Sequence, residues 1–240
     1  MARGQPDWGI TAVQELIPKS QDINELAVRL GSLDCWTRTG TVFLLDNFNS
    51  GIFKWNTVVT PPSYIITSRK SAFISPYVAK FYMNSPIDEY IYMYRMLPVF
   101  LDTPIGIEAF LAMDGQKLYI KLTFFVYYNG IETDFTVKIN IDTKEISIFD
   151  NVLGEVFIAT GIAFHSSVGM YNTFKLVIDQ KTGLYKYLKL NNTIYDLSEY
   201  TGEQSITGYP DHVNFYIEGH NSVGYIQELY CGGVIITQNE

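Results

Sequence analysis

Three histidines, two cysteines and scattered carboxylates are the side chains that could carry chemistry in this 240-residue chain. The histidines are His165, His212 and His220. A structural zinc site takes about four ligands, usually in close Cys or His pairs. No such pair occurs, so the three read as ordinary polar or loop residues. Cys35 and Cys231 are the only cysteines. A thiol nucleophile needs a histidine beside it, and the sequence places none there, so both read as structural. No G-x-S-x-G elbow, G-x-G-x-x-G fingerprint or Walker-type loop is present. Gly232-Gly233 reads as a turn or bulge. The residues alone thus nominate no catalytic set and no cofactor. They do supply rings. A tyrosine or tryptophan face can stack on the C–H face of a sugar. Tyr185 and Tyr187 are the candidate stacking pair, Tyr90 to Tyr94 supply more rings, and Trp55 is expected in the core.

The elements around these residues are strands. From Asn172 to Ser198 the sequence NTFKLVIDQKTGLYKYLKLNNTIYDLS reads as two successive hairpins. Phe174, Leu176 and Ile178 alternate with Lys175, Val177 and Asp179, which makes one face apolar. Asp179 to Gly183 forms a polar turn. Asn191-Asn192 can both take positive φ, as a tight primed turn requires. Upstream, alternating runs from Ile107, Leu118, Phe135 and Ile146 are separated by Asp114-Gly115, Asn129-Gly130 and Asp142 to Lys144. They predict a β-meander. Val213 to Ile217 and Val234 to Thr237 add two strands. No fixed-period repeat or low-complexity linker interrupts the pattern. The expected class is all-β, a two-sheet antiparallel sandwich over residues 41–240.

Residues 1–40 differ. The first eighteen have no period and read as an extended arm. Asp22 to Leu30 is the best helical stretch, with Asp22 as cap, Glu25 three residues on, and Ile23, Leu26, Ala27 and Leu30 on one apolar face. So short a helix is marginal alone, so that face is expected to dock on the sandwich or on a neighbouring subunit.

Composition narrows the partners. Hydrophobic residues make up 47% and aromatics 15%, while charged residues are only 18% and the net charge is −8. The acidic balance argues against nucleic acid and anionic membranes. No apolar run of about 18 residues is present to span a bilayer. The first twenty residues do not read as an export signal, so both cysteines are expected reduced, with a Cys35–Cys231 disulfide as the alternative.

Three segments carry a family resemblance: LLDNFNSGIFKW (Leu44 to Trp55), the paired strands of Asn172 to Ser198, and IQELYCGGVIIT (Ile226 to Thr237). Together they resemble the concanavalin A-like, laminin-G-like jelly rolls, in which the closing strand returns beside the first. The resemblance implies a fold shared by lectins, glycoside hydrolases, polysaccharide lyases and viral or bacterial adhesive modules. It also implies a calcium position near the first and last strands, for which Asp46 and Glu228 are the matching residues. Hydrolases of this kind carry E-x-D-x-x-E on a strand, which puts the carboxylates on one face. That spacing is not found. Asp88-Glu89 are adjacent, and Glu199 and Glu203 fall in an expected loop. An arm and short helix before a jelly roll is similar to virion proteins of tailed phages. The leading expectation is therefore a non-enzymatic sandwich held in a virion by residues 1–31, with oligomeric or lattice partners. A glycan-binding module is the alternative, and a hydrolase or lyase with atypical carboxylates is the third.

Overall fold

The computed structural model describes residues 40–71, 76–84, 90–97, 103–114, 117–165, 167–223 and 225–240, and among these no helix occurs. In chain order the strands are β1 (Thr41–Asp46), β2 (Asn56–Val58), β3 (Tyr64–Ser68), β4 (Val78–Met83), β5 (Tyr90–Leu97), β6 (Ile105–Asp114), β7 (Leu118–Tyr128) and β8 (Ile131–Asn140). They continue as β9 (Glu145–Asp150), β10 (Gly154–Thr160), β11 (Asn172–Asp179), β12 (Leu184–Leu190), β13 (Thr193–Asp196), β14 (Glu203–Ile206), β15 (His212–Asn221) and β16 (Gln227–Gln238). The first sheet runs β13-β12-β11-β6-β16-β4-β3, with β1 also on β16. The second runs β10-β9-β8-β7-β15-β5-β2, with β14 also on β8. Every pairing is antiparallel. This is the expected two-sheet sandwich. Inward side chains of both sheets form one main core, from Phe81 and Ile107 on the first to Phe124 and Phe215 on the second.

The hairpins of residues 172–198 form as their pattern predicts, β11 on β12 and β12 on β13. Gly183 and Asn191 take the positive φ of their turns, at 72° and 51°, while Asn192 does not. The Asn129-Gly130 turn has both residues at positive φ, 53° and 75°. The expected meander needs one correction. β7, β8, β9 and β10 are consecutive neighbours, but β6 lies in the other sheet, between β11 and β16. The chain after Asp114 therefore crosses between sheets. A polar break between two alternating runs looks the same in sequence whether the next strand pairs locally or crosses the core.

Two long strands act as spines. β16 pairs with β6 along one edge, and along the other with β4 through Gln227–Cys231 and then β1 through Val234–Gln238. Its register shifts between Cys231 and Gly233. Inward positions consequently change from Leu229 and Cys231 to Val234 and Ile236. Gly232 sits at the shift, where a Cβ would come within 2.7 Å of the Tyr171 ring. β8 is built likewise: β7 on one side, and on the other β9 at Val137–Asn140 and β14 at Ile131–Asp134.

Where β9 leaves β8 and β14 has yet to join, Tyr185 fills the gap from the opposite sheet. Its hydroxyl accepts from the Thr136 N–H at 2.8 Å and donates to the Phe149 carbonyl at 2.9 Å. Tyr185→Phe leaves a buried donor and a buried acceptor unpaired. It is expected to lower unfolding stability by about 1–3 kcal/mol in urea titration. A change under about 0.5 kcal/mol would show that the hydroxyl does not hold this junction.

On the outer side of the first sheet a charged residue is buried. Lys175 on β11 is 2% exposed and faces Glu108 on β6. Its ammonium lies 2.9 Å from Glu108 Oε1 and 2.7 Å from Glu240 Oε1.

Candidate functional site

Strand alternation sends a distinct set of side chains to the outer side of the second sheet. On β15, Val213, Phe215 and Ile217 enter the core. Asn214, Tyr216, Glu218 and His220 therefore point outward. The same parity turns out Tyr90, Tyr92 and Tyr94 on β5, Tyr119, Lys121, Phe125 and Tyr127 on β7, and Glu132, Asp134, Thr136 and Lys138 on β8. The registers align these into rows. Lys138, Lys121, Glu218 and Tyr92 form one row, and Thr136, Thr123, Tyr216 and Tyr94 the next.

The rings touch one another. Tyr216 is stacked on Tyr94 at 4.9 Å between centroids, edge-on to Phe125 at 5.0 Å, and 5.5 Å from Tyr92. Burial, then its neighbours Tyr127, Tyr94 and Tyr92, push the Tyr216 phenol up to about 12, so it stays a neutral donor. His220 lies between Tyr119 at 4.2 Å and Tyr90 at 5.4 Å. His212 is stacked on Tyr127 at 4.2 Å. Tyr90 is 52% exposed, so the cluster is open to solvent at that end.

Polar groups border the rings. Glu203 on β14 stands directly opposite Asp134 on β8. Like charges so placed repel. Burial, and then Glu203, Glu132 and Glu218, raise the Asp134 carboxyl to about 6 against the pull of a 2.7 Å hydrogen bond from Thr136 Oγ1. Glu218 Oε2 accepts from His220 Nε2 at 3.1 Å. Burial lowers the His220 pKa and keeps the ring neutral. Glu155 accepts from Lys138 Nζ at 2.9 Å and from Ser147 Oγ at 2.7 Å.

The sequence found this surface only in part. Of its stacking pair, Tyr185 is wholly buried. Tyr187 lies on the outer side of the first sheet, with its hydroxyl 3.4 Å from Glu240 Oε2. The two part because the β11–β12 register shifts: Val177 faces Tyr187 and Ile178 faces Tyr185. Simple alternation would have put both rings on one side. Tyr90 to Tyr94 do join the site. Trp55 is packed as expected, 5% exposed, and its Nε1 donates to Asp46 Oδ2 at 3.0 Å.

Asp46 and Glu228 are not brought together. Asp46 faces Val234, six residues along β16 from Glu228, which puts them on the order of 15–20 Å apart. Asp46 also accepts from the Phe48 N–H. Glu228 is held by Lys70, Lys80 and Tyr230, whose hydrogen bonds outweigh burial and bring its carboxyl down to about 2. Among the described residues no cluster of three or more His, Cys, Asp or Glu is disposed to hold a metal. The helix face of Ile23, Leu26, Ala27 and Leu30 lies outside the described residues, as does Cys35. Cys231 is buried and free.

His212 and His220, expected as ordinary polar or loop residues, lie on β15 and stack on the tyrosines of this face. The missed signal was the run Glu132-x-Asp134-x-Thr136-x-Lys138. It holds the first half of the hydrolase spacing and marks a strand whose outer side is polar throughout.

No protein-family model and no curated protein sequence matches this chain. Solved structures do. An endo-β-1,4-glucuronan lyase from the fungus Trichoderma reesei superposes with a TM-score of 0.57 at 10% identity, over 82% of this chain and 95% of that one. The carbohydrate recognition domain of Emp47p gives 0.50 at 9% identity, over 78% of this chain and 90% of that one. The potassium-bound carbohydrate recognition domain of Emp46p gives 0.50 at 7% identity, over 80% and 92%. Identities this low speak to architecture alone. The architecture they share with this chain is the concanavalin A-like jelly roll.

Proposed function

We propose that this protein is a glycan-binding β-sandwich whose ligand lies on the outer side of the second sheet. The observation that carries the reading is the ring cluster centred on Tyr216, with polar side chains on its borders. Partly exposed rings offer flat apolar faces to sugar C–H groups, and acidic side chains accept from sugar hydroxyls. The carbohydrate recognition domains of Emp46p and Emp47p, built on the same architecture, support it. No described residue bears on the expected docking of residues 1–31 to a virion.

A second reading has its own observation. Asp134, raised to about 6, stands two positions from Glu132 on one strand face, an arrangement suited to a carboxylic acid and a carboxylate acting together. One experiment separates the two. Oligosaccharides of several backbone types are titrated by calorimetry and then analysed for cleavage. Saturable binding with intact sugar supports capture. Cleavage that Asp134→Asn abolishes supports catalysis. No binding to any glycan sinks both.

A further inference from the structure

Two polar side chains on this face are more than nine-tenths buried and carry an atom with no hydrogen-bond partner among the described residues: Asn214 at Oδ1 and His220 at Nδ1. Their surroundings fix what those atoms can do. His212 Nδ1 lies 2.7 Å from the Pro210 carbonyl, which can only accept, so Nδ1 holds a proton, and with that one proton on the ring Nε2 is bare. Asn214 Nδ2 therefore donates to that Nε2, at 3.1 Å, and the orphaned Asn214 oxygen is an acceptor. His220 Nε2 lies against the Glu218 carboxylate, so Nε2 holds the proton and Nδ1 is likewise an acceptor. A buried acceptor left unmatched is costly, and a ligand that donates to it relieves that cost.

The charges on the face point the same way. Glu132, Asp134, Glu203 and Glu218 outnumber Lys121 and Lys138, and Lys138 is engaged by Glu155. A ligand with its own carboxylate would bring acceptors to acceptors and a negative charge to a negative face. From the glycan-binding reading above, on which this rests, we infer that the ligand is an oligosaccharide bearing free, protonated amino groups. It is preferred over a neutral glycan, and a uronate is disfavoured. The ammonium supplies donors and lies toward the Asp134–Glu203 pair, whose repulsion it offsets.

The test uses three oligomers with the same β-linked backbone and length, of glucosamine, glucose and glucuronic acid, titrated against the intact protein. The glucosamine oligomer is expected to bind about tenfold tighter than the glucose oligomer, with the glucuronic acid oligomer weakest. High salt should shrink that advantage. The titratable groups around Asp134 are Glu132 on its own strand, Glu203 on β14, Glu218 on β15, Tyr127 on β7 and Tyr185 on β12, of which the two tyrosines stay neutral in this range. The preference should therefore fall as pH drops through about 6 and Asp134 takes up its proton. Asp134→Asn should bring the glucosamine-to-glucose ratio toward one. If that variant does not fold, the salt and pH dependence of the native protein decide. Equal affinity for the amino and neutral oligomers, or tighter binding of the uronate, overturns the inference and leaves glycan binding standing. Failure of all three to bind removes both.

Discussion

Lys175→Met is expected to destabilise the sandwich by about 3–5 kcal/mol, the range seen when one partner of a buried ion pair is removed. The methionine keeps the stem's packing and deletes the ammonium. Glu108 and Glu240 are then left facing each other on the first sheet, where the ammonium had bridged them. Glu108 is under stress even in the native protein. Burial, with Glu240 acting the same way, holds its carboxyl up at about 7 although Lys175 pulls it down. A carboxyl raised above its unfolded value takes up a proton on folding, so its ionisation lowers stability as pH rises from about 4.5 through about 7. Without Lys175 the rise goes further, and the variant's deficit should grow with pH. Urea unfolding at about pH 5 and about pH 8 reads this directly. A deficit equal at both would show that lost packing, not unbalanced charge, is responsible.

Tyr216→Ala is expected to reduce glycan affinity by about 30- to 100-fold, or about 2–3 kcal/mol, the effect of truncating a central aromatic anchor. Its ring is the one that touches Tyr92, Tyr94 and Phe125 together. Removing it takes away a stacking surface and lets its neighbours shift. Tyr216→Phe keeps the ring and loses only the hydroxyl, so its affinity should stay within about threefold of native. Calorimetric titration of both variants distinguishes stacking from hydrogen bonding. An alanine variant that binds as well as the native protein would move the site elsewhere.

Much of the sandwich could be read from the chain because its signals are local. Phe174, Leu176 and Ile178 alternate on one strand, and the turn at Gly183 adjoins it. Asn129-Gly130 announces its own hairpin. The site was harder because it is assembled across strands. Tyr92, Tyr216 and Lys121 come from β5, β15 and β7, and only the register puts them side by side. Register shifts are a second barrier. Those near Tyr185 and Gly232 each reverse which residues face inward, with no mark in a pattern of period two. Glu132 and Asp134 were visible as alternating carboxylates, but their importance depends on Glu203, which arrives on β14 from about seventy residues downstream.

The place of β16 constrains how the molecule is made. A ribosome delivers β1, β4 and β6 long before Gln227–Gln238, yet all three need that strand as a neighbour. Until it emerges, the nascent first sheet has unpaired edges at its middle. The hairpins from β7 to β10 can form meanwhile from neighbouring sequence. The second sheet also waits for its middle strand β15 between β7 and β5, so folding during synthesis should stall with only the β7–β10 hairpins shaped and the centres of both sheets open, a state prone to aggregation.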